Sequence, residues 1–341
     1  MYRSTTQGGS YTKQAFDVTS SIYEDTFVQS YTKYYYVVRA VDFNSNESNN
    51  SSEDSAYPSS CKLQIGVVED VGTSWTVVPL DYDYTSKIVV CSPNYDKYDN
   101  PAVVRLRSAI GSGNTFQVSI DSASTDTVDT VDVHYIVAEN DTYTIADDGV
   151  KMEAKLVYSG PGTDHDDSWV GWSRNYLNSY TNPVVIGQVA SHQDSDWSVF
   201  WCSSDSATSP PFTSELYVGK HVGEDSDTTR AVEKISYIVI EAGSGTIDGV
   251  DYEADLISPR SVLGVKNAGA PYSHSLSGNL DTASTAIVSQ AGMYGTNGSW
   301  AILYGSDAVS TTTLKVAVDE DIMGDPERYH SGECVSYIVF E

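Results

Sequence analysis

An all-β fold is what this sequence predicts, and three observations predict it. Apolar and polar residues alternate along most of the chain, and β-branched residues are dense. Clusters of Gly, Asn, Asp, Ser and Pro interrupt at short intervals, and almost nothing reads as helix. A pentapeptide returns three times, YIVAE at 135–139, YIVIE at 237–241 and YIVFE at 337–341. The step of about a hundred residues is too large for solenoid coils and suits small antiparallel sandwiches of about six strands.

Residues 1–57 stand apart. The run YYYVVRAVD (34–42) is strand-like, and a polar Asn/Ser turn leads from it to a short final strand ending at SAYP. From Cys61 onward the pentapeptide sets the frame and defines repeats at 62–141, 149–241 and 249–341. Walking backward from each copy, one strand pairs Val, Phe or Leu with acids: TFQVSID (115–121), ELYVGKHVGED (215–225) and TLKVAVDED (313–321). Before it lies a mixed aromatic and aliphatic strand: AVVRLRSA (102–109), WSVFWCSS (197–204) and WAILYGSD (300–307). Before that come IVVCSPN (88–94), PVVIGQV (183–189) and AIVSQAG (286–292). GVKMEA (149–154) and GVDYEA (249–254) open the second and third units, with IGVVEDVGTSW in the matching place of the first.

Side chains alternate along a strand, so the pentapeptide has two faces. Ile136, Ile238 and Ile338 point one way; Val137, Val239 and Val339 point the other, beside the Tyr. A strand apolar on both faces is central in its sheet or lies between modules. The pentapeptide is therefore expected to be the closing strand of each repeat. Its Glu falls where the strand leaves the sheet, and the third copy, ending at Glu341, is expected to complete that end of the protein.

Composition narrows the function. The chain has 341 residues, 40% hydrophobic, enough for more than one core. Lys+Arg number 19 against 47 Asp+Glu, a net charge of −28 that repels nucleic acid and attracts cations. Tyr (25) far outnumbers Phe (7), which suits half-exposed strands and interfaces. No run of about 18 apolar residues suggests a membrane span, and no signal peptide is visible. A piece of a longer secreted chain is the expectation. Cys61, Cys91, Cys202 and Cys334 form no CxxC pair; buried free thiols and any of three disulfide pairings stay open.

The wording of 1–57 resembles the C-terminal half of a bacterial fibronectin type III domain. In that likeness YRS closes a central strand, YYYVVRAVD supplies the last hairpin, and Tyr34 takes the tyrosine-corner place. The first strands of a complete domain are missing, which implies an apolar face and open edges that upstream chain or a neighbouring chain covers. The 62–341 block resembles H-type lectin-like modules of bacterial secreted proteins. Tyr180-Thr-Asn-Pro183-Val184-Val185 matches the family's aromatic-x-x-Pro-x-Val segment, and Tyr84-Thr-Ser-Lys87-Ile88-Val89 matches with Lys in place of Pro. That family assembles as trimers, so the resemblance implies that three modules on one chain fold as a covalent pseudo-trimer. No position matches the family's sugar-binding residues.

Two constellations are candidate ligand sites. Asp164, Asp166 and Asp167, then Glu224, Asp225 and Asp227, then Asp319, Glu320 and Asp321, gather the oxygen ligands Ca²⁺ prefers, without EF-hand spacing. The second and third clusters fall at equivalent points of their repeats, which points equally to a shared structural role. Trp169, Trp172 and Tyr176 lie in an Asp-rich approach and could stack on sugar rings. Trp197 and Trp201 share a strand face, and Trp300 matches Trp197, a recurrence that favours core packing.

Catalytic motifs are absent: there is no GxSxG, HExxH, P-loop or dinucleotide fingerprint. His134, beside the motif Tyr, reads as structural. The glycosylation-type sequons at Asn46, Asn49, Asn50, Asn140 and Asn297 crowd at 46–52 as a turn-rich loop would. The expected function is a non-enzymatic extracellular structural or adhesive protein, a subunit of a surface assembly or filament whose 1–57 module a neighbouring chain completes. A carbohydrate-binding array and an accessory C-terminal region of a larger secreted enzyme are the alternatives. No cofactor beyond Ca²⁺ is expected.

Overall fold

The structure, a computed structural model, describes residues 1–15, 18–21, 23, 25–28, 32–56, 62–159 and 171–341. The chain is almost entirely β and forms two units, Met1–Cys61 with Tyr143–Val150, and Lys62–Thr142 with Lys151–Glu341.

In the first unit, Thr12–Lys13, Tyr2–Ser4, Tyr34–Val37 and Asp54–Ala56 form an antiparallel sheet in that order. Tyr2, Tyr34 and Val37 are buried, whereas Val38 and Val41 are each 49% exposed. One helical turn, Ile145–Asp148, belongs to the same unit. The Thr144 side chain accepts from the Asp147 amide at its start, and Gly149 ends it at φ 76°, a conformation that costs glycine no Cβ clash.

In the second unit each pentapeptide is the middle strand of an antiparallel trio. Val131–Glu139 lies between Leu63–Val71 and Thr76–Tyr95. Lys234–Glu241 lies between Met152–Tyr158 and Pro183–Val189. Glu333–Phe340 lies between Val250–Val262 and Thr285–Gln290. The register repeats: the motif Ile faces Ile65 and Val90 in the first trio, Ala154 and Ile186 in the second, Ala254 and Ile287 in the third.

Each trio has a companion sheet. Trp172–Asn175, Glu215–His221 and Val199–Ser203 form one, and Tyr272–Ser275, Thr313–Asp319 and Trp300–Tyr304 form another. In the first repeat the 20-residue strand Thr76–Tyr95 serves both sheets, pairing through its first half with Ile110–Ser122, which pairs with Ala102–Arg107. The motif Tyr and Val enter the core of their own repeat, as Tyr135 with Val137, Tyr237 with Val239 and Tyr337 with Val339.

The motif Ile residues are fully buried on the opposite face. Neighbouring repeats cover that face. Thr76–Tyr95, Pro183–Val189 and Thr285–Gln290 touch one another in all three pairs, and each also touches a motif strand of another repeat. The trios therefore close a ring and do not stand in line. Burying each Ile fully contributes about 1.5–3 kcal/mol, and here that burial needs the neighbouring repeat.

Two sequence alignments shift. Trp300 pairs with Asp319 as Val199 pairs with His221, so Trp300 corresponds to Val199 and not to Trp197. Trp197 precedes its strand, and its ring meets Trp300 at 5.9 Å in a shared core. By the same register Asp319–Asp321 corresponds to 221–223, three residues ahead of Glu224, so the acidic clusters do not hold equivalent places in their repeats.

Candidate functional site

The recurring motif proves to be one half of a two-part lock. Glu139 accepts from the Thr85 amide (3.0 Å) and the Ser86 amide. Glu241 accepts from the Thr181 (3.0 Å) and Asn182 (2.7 Å) amides and pairs with Lys151 at 2.8 Å. Burial pushes the Glu241 pKa up, but Lys151 and the two amides outweigh it and hold the carboxyl below its usual range. Just ahead of those amides, the Tyr84 and Tyr180 hydroxyls donate to the carbonyls of Val137 (3.5 Å) and Val239 (3.3 Å). The Tyr-Thr-Ser/Asn turn and the Tyr-Ile-Val-x-Glu strand thus hold each other. Both halves recur in the first two repeats, but Tyr84 and Glu139 are 139 − 84 = 55 residues apart and Tyr180 and Glu241 are 241 − 180 = 61, so spacing alone does not pair them.

A second carboxylate position serves the same end of each repeat. Glu153 accepts from the Leu177 and Asn178 amides (2.8 and 2.7 Å), and Glu253 from the Ser277 amide (3.0 Å) and the Tyr337 hydroxyl (3.2 Å). Gln64 stands there in the first repeat and accepts from the Asp81 amide at 2.7 Å. These acids satisfy loop amides that would otherwise be unpaired.

A dense polar group lies inside the third repeat. His330 Nδ1 is 2.7 Å from Glu320, and Nε2 is 3.0 Å from both Glu333 and Ser299 Oγ. Ser299 donates to Gln290 at 2.7 Å, and Glu333 also accepts from the Tyr294 and Gly295 amides. Burial lowers the His330 pKa, but its hydrogen bonds to Glu320 and Glu333 prevail and raise it to about 9. A protonated ring donates from both nitrogens and has no lone pair to take a serine proton. All four side chains are buried. This Ser, His and Glu arrangement is a structural clamp, without the free base and access that nucleophilic catalysis requires. Beside it, Arg328 grips Asp319 through two nitrogens (2.8 and 2.6 Å), and the Tyr95 hydroxyl donates to the same carboxylate at 2.7 Å.

The sequence candidates separate. Asp164, Asp166, Asp167 and Trp169 lie outside the described residues. Asp319 and Glu320 belong to the buried network just described. Asp321, raised to about 6 by burial, accepts from the Glu224 (2.9 Å) and Met323 (2.9 Å) amides. Asp225 pairs with Arg230 at 2.9 Å and accepts from the Asp227 amide, while Asp227 accepts from Thr229. Glu224 and Asp321 are thus brought together, whereas Asp319 and Glu320 point into their own partners. Among the described residues no three or more His, Cys, Asp or Glu stand in a metal-holding group.

Trp172 is half-buried on the edge strand Trp172–Asn175. Tyr176 packs on the second repeat's core, its ring 5.0 Å from Tyr180 and edge-on to it. His134 is buried; its Nδ1 accepts from the Ala286 amide at 3.2 Å, and burial lowers its pKa to about 4. Cys91, Cys202 and Cys334 are buried free thiols, and Cys61 lies outside the described residues. Among the described residues no helix is long and apolar enough to cross a membrane.

Comparison with known proteins finds a partial likeness. Over 58 residues the chain is 52% identical to an amylopullulanase of Thermoanaerobacter thermohydrosulfuricus and 47% identical to an amylopullulanase of Thermoanaerobacterium saccharolyticum. Each match covers 17% of this chain and 4% of the relative. No family model and no solved structure matches the chain.

Proposed function

We propose that this chain is a non-catalytic accessory region of a larger secreted protein, a partial fibronectin type III module at 1–57 followed by three β-sandwich repeats. The observation that carries this is the proportion of the match: 58 residues, 17% of this chain but 4% of an amylopullulanase. Those are the proportions of a small module shared between long chains that otherwise differ. Its extent is that of the 1–57 module, and we assign it there. An extracellular location goes with this reading. The burial of the Ser299, His330 and Glu333 group supports a structural role, since it is closed to substrate. The purified chain should release no reducing sugar from pullulan or starch; turnover by this chain alone would overturn the proposal.

A second reading, self-association through 1–57, rests on the half-exposed Val38 and Val41. With Met1, Ala15, Val18 and Ala40 they line a concavity of about 950 Å³. Further strands would cover it, and a neighbouring chain is one source of them. Sedimentation that shows a monomer at every concentration would remove this reading. Binding of Ca²⁺ by the acidic loops would raise the thermal midpoint on adding the ion, and an unchanged midpoint would remove Ca²⁺ as a ligand.

A further inference from the structure

The three ring junctions are built alike, with one exception. Val288, Gly187 and Cys91 hold the same place, each opposite its motif Tyr: Tyr337, Tyr237 and Tyr135. Val288 and Gly187 lie on strands at the end of their sheets. Cys91 lies in a stretch of Thr76–Tyr95 beyond its pairing with Ile110–Ser122, which stops at Ile88, and before its pairing with Trp300–Tyr304, which starts at Asn94. Backbone groups pointing away from the motif strand there have no ladder partner and need another.

At two junctions a serine of the neighbouring repeat supplies it. Ser92 Oγ accepts from the Val288 amide at 2.8 Å and donates to the Val288 carbonyl at 3.0 Å. Ser289 Oγ accepts from the Gly187 amide at 3.0 Å and donates to the Gly187 carbonyl at 3.4 Å. Ring order makes the residue after Gly187 the counterpart for Cys91. That residue is Gln188, and its amide turns away to the carbonyls of Val104 (3.1 Å) and Val189 (3.4 Å).

A cavity of about 50 Å³ lies where the three repeats meet, lined by Cys91, Val104, Gly187, Gln188, Val288 and Ser289 among others. A water needs roughly 10–15 Å³ of such volume and two to four polar partners. The Cys91 amide and carbonyl are two such partners.

We propose that this cavity is an internal hydration site. One ordered water stands beside Cys91 and bridges its N–H and C=O, as the hydroxyls of Ser92 and Ser289 do at the other two junctions. The ligand is water, or a hydroxyl group no larger than a small alcohol's. Glutamine at 188 makes the site, because its length carries the amide past the position a serine hydroxyl would fill.

Water–amide cross-relaxation on the full chain tests this. The unchanged protein should give a bound-water signal at the Cys91 amide and none at Val288 or Gly187. Gln188→Ser should abolish the Cys91 signal by putting a hydroxyl there, while Gln188→Ala should keep it. No water signal at Cys91 in the unchanged protein would overturn the proposal, as would a signal that persists in Gln188→Ser. If Gln188→Ser fails to fold, pressurised xenon on the unchanged chain decides. A dry cavity binds xenon and shifts the surrounding resonances, which also overturns the proposal; a hydrated one leaves them unmoved.

Discussion

The N-terminal sheet and the motif-centred sheets use the same residue types, Tyr and Val on short antiparallel strands, yet they hold them differently. In the first unit Val38 and Val41 keep 49% of their surface. In the second, Val137, Val239, Val339 and the Ile beside each are fully buried. The ion pairs differ in the same way. Arg39 and Lys13 meet Glu47 at the surface, where solvent and salt screen them. Arg328 with Asp319, and His330 with Glu320 and Glu333, meet out of water. Residue type does not decide this; a covering neighbour does. Each trio is apolar on both faces because another repeat supplies its second layer.

The buried clamp gives the largest expected break. Removing one partner of a buried charged group costs about 3–5 kcal/mol, because the others stay behind unpaired. His330→Leu should lose that much in denaturant unfolding, whereas Lys13→Met should leave the midpoint within error. The clamp also carries a pH signature. The His330 pKa is raised from 6.5 to about 9 in the fold. A raised folded value means the contribution is full below about pH 6.5 and is lost as pH climbs through 9. The unfolding midpoint should therefore fall between pH 7 and 9.5, and His330→Leu should flatten that slope. An unchanged slope would show that the ring is not charged in the fold.

Next comes a matched pair of truncations. Ile338→Ala removes a fully buried side chain and should cost about 2–5 kcal/mol. Val38→Ala, on a half-exposed face, should stay within about 0.5 kcal/mol. If the two cost the same, something covers Val38 in solution, which would favour the self-association reading over the accessory one. Smaller again is the loop cap. Glu241→Gln weakens charge-assisted bonds to two amides and Lys151, and about 1.5–3 kcal/mol is the upper bound for such a loss. Glu341 stands at the same motif position and its carboxylate makes no such contacts among the described residues, so Glu341→Gln should be neutral.

Much of this was legible in the sequence because it rests on periodicity. Alternation gave the all-β class, and the two-sided apolar pattern of Tyr-Ile-Val placed that strand at the centre of its sheet. What escaped was set by side-chain reach between strands far apart in sequence. Nothing local ties His330 to Glu320 and Ser299, or Ser92 to Val288. The acidic clusters misled for a related reason. Matching Glu224-Asp225 to Asp319-Glu-Asp321 by composition ignored register, and the strand pairing offsets them by three residues, burying Asp319 and Glu320 while Asp227 stays exposed.

The smallest expected effect tests the tyrosine half of the lock. The Tyr180 hydroxyl reaches the Val239 carbonyl at 3.3 Å, and the Tyr84 hydroxyl reaches Val137 at 3.5 Å, the limit of a useful bond. A neutral hydrogen bond contributes about 0.5–1.5 kcal/mol net, so Tyr180→Phe should fall in that range and Tyr84→Phe below it. The third repeat already does without the hydroxyl: the register puts exposed Asp281 at the corresponding place, and buried Leu280, one residue earlier, packs into that repeat's core. The ring would then supply most of the tyrosine's value through burial and the hydroxyl a minor part. Tyr180→Leu measured beside Tyr180→Phe separates the two. If Phe costs as much as Leu, the hydroxyl carries the position, and the third repeat must compensate elsewhere, for which Glu253 bonded to the Tyr337 hydroxyl is the group to mutate next.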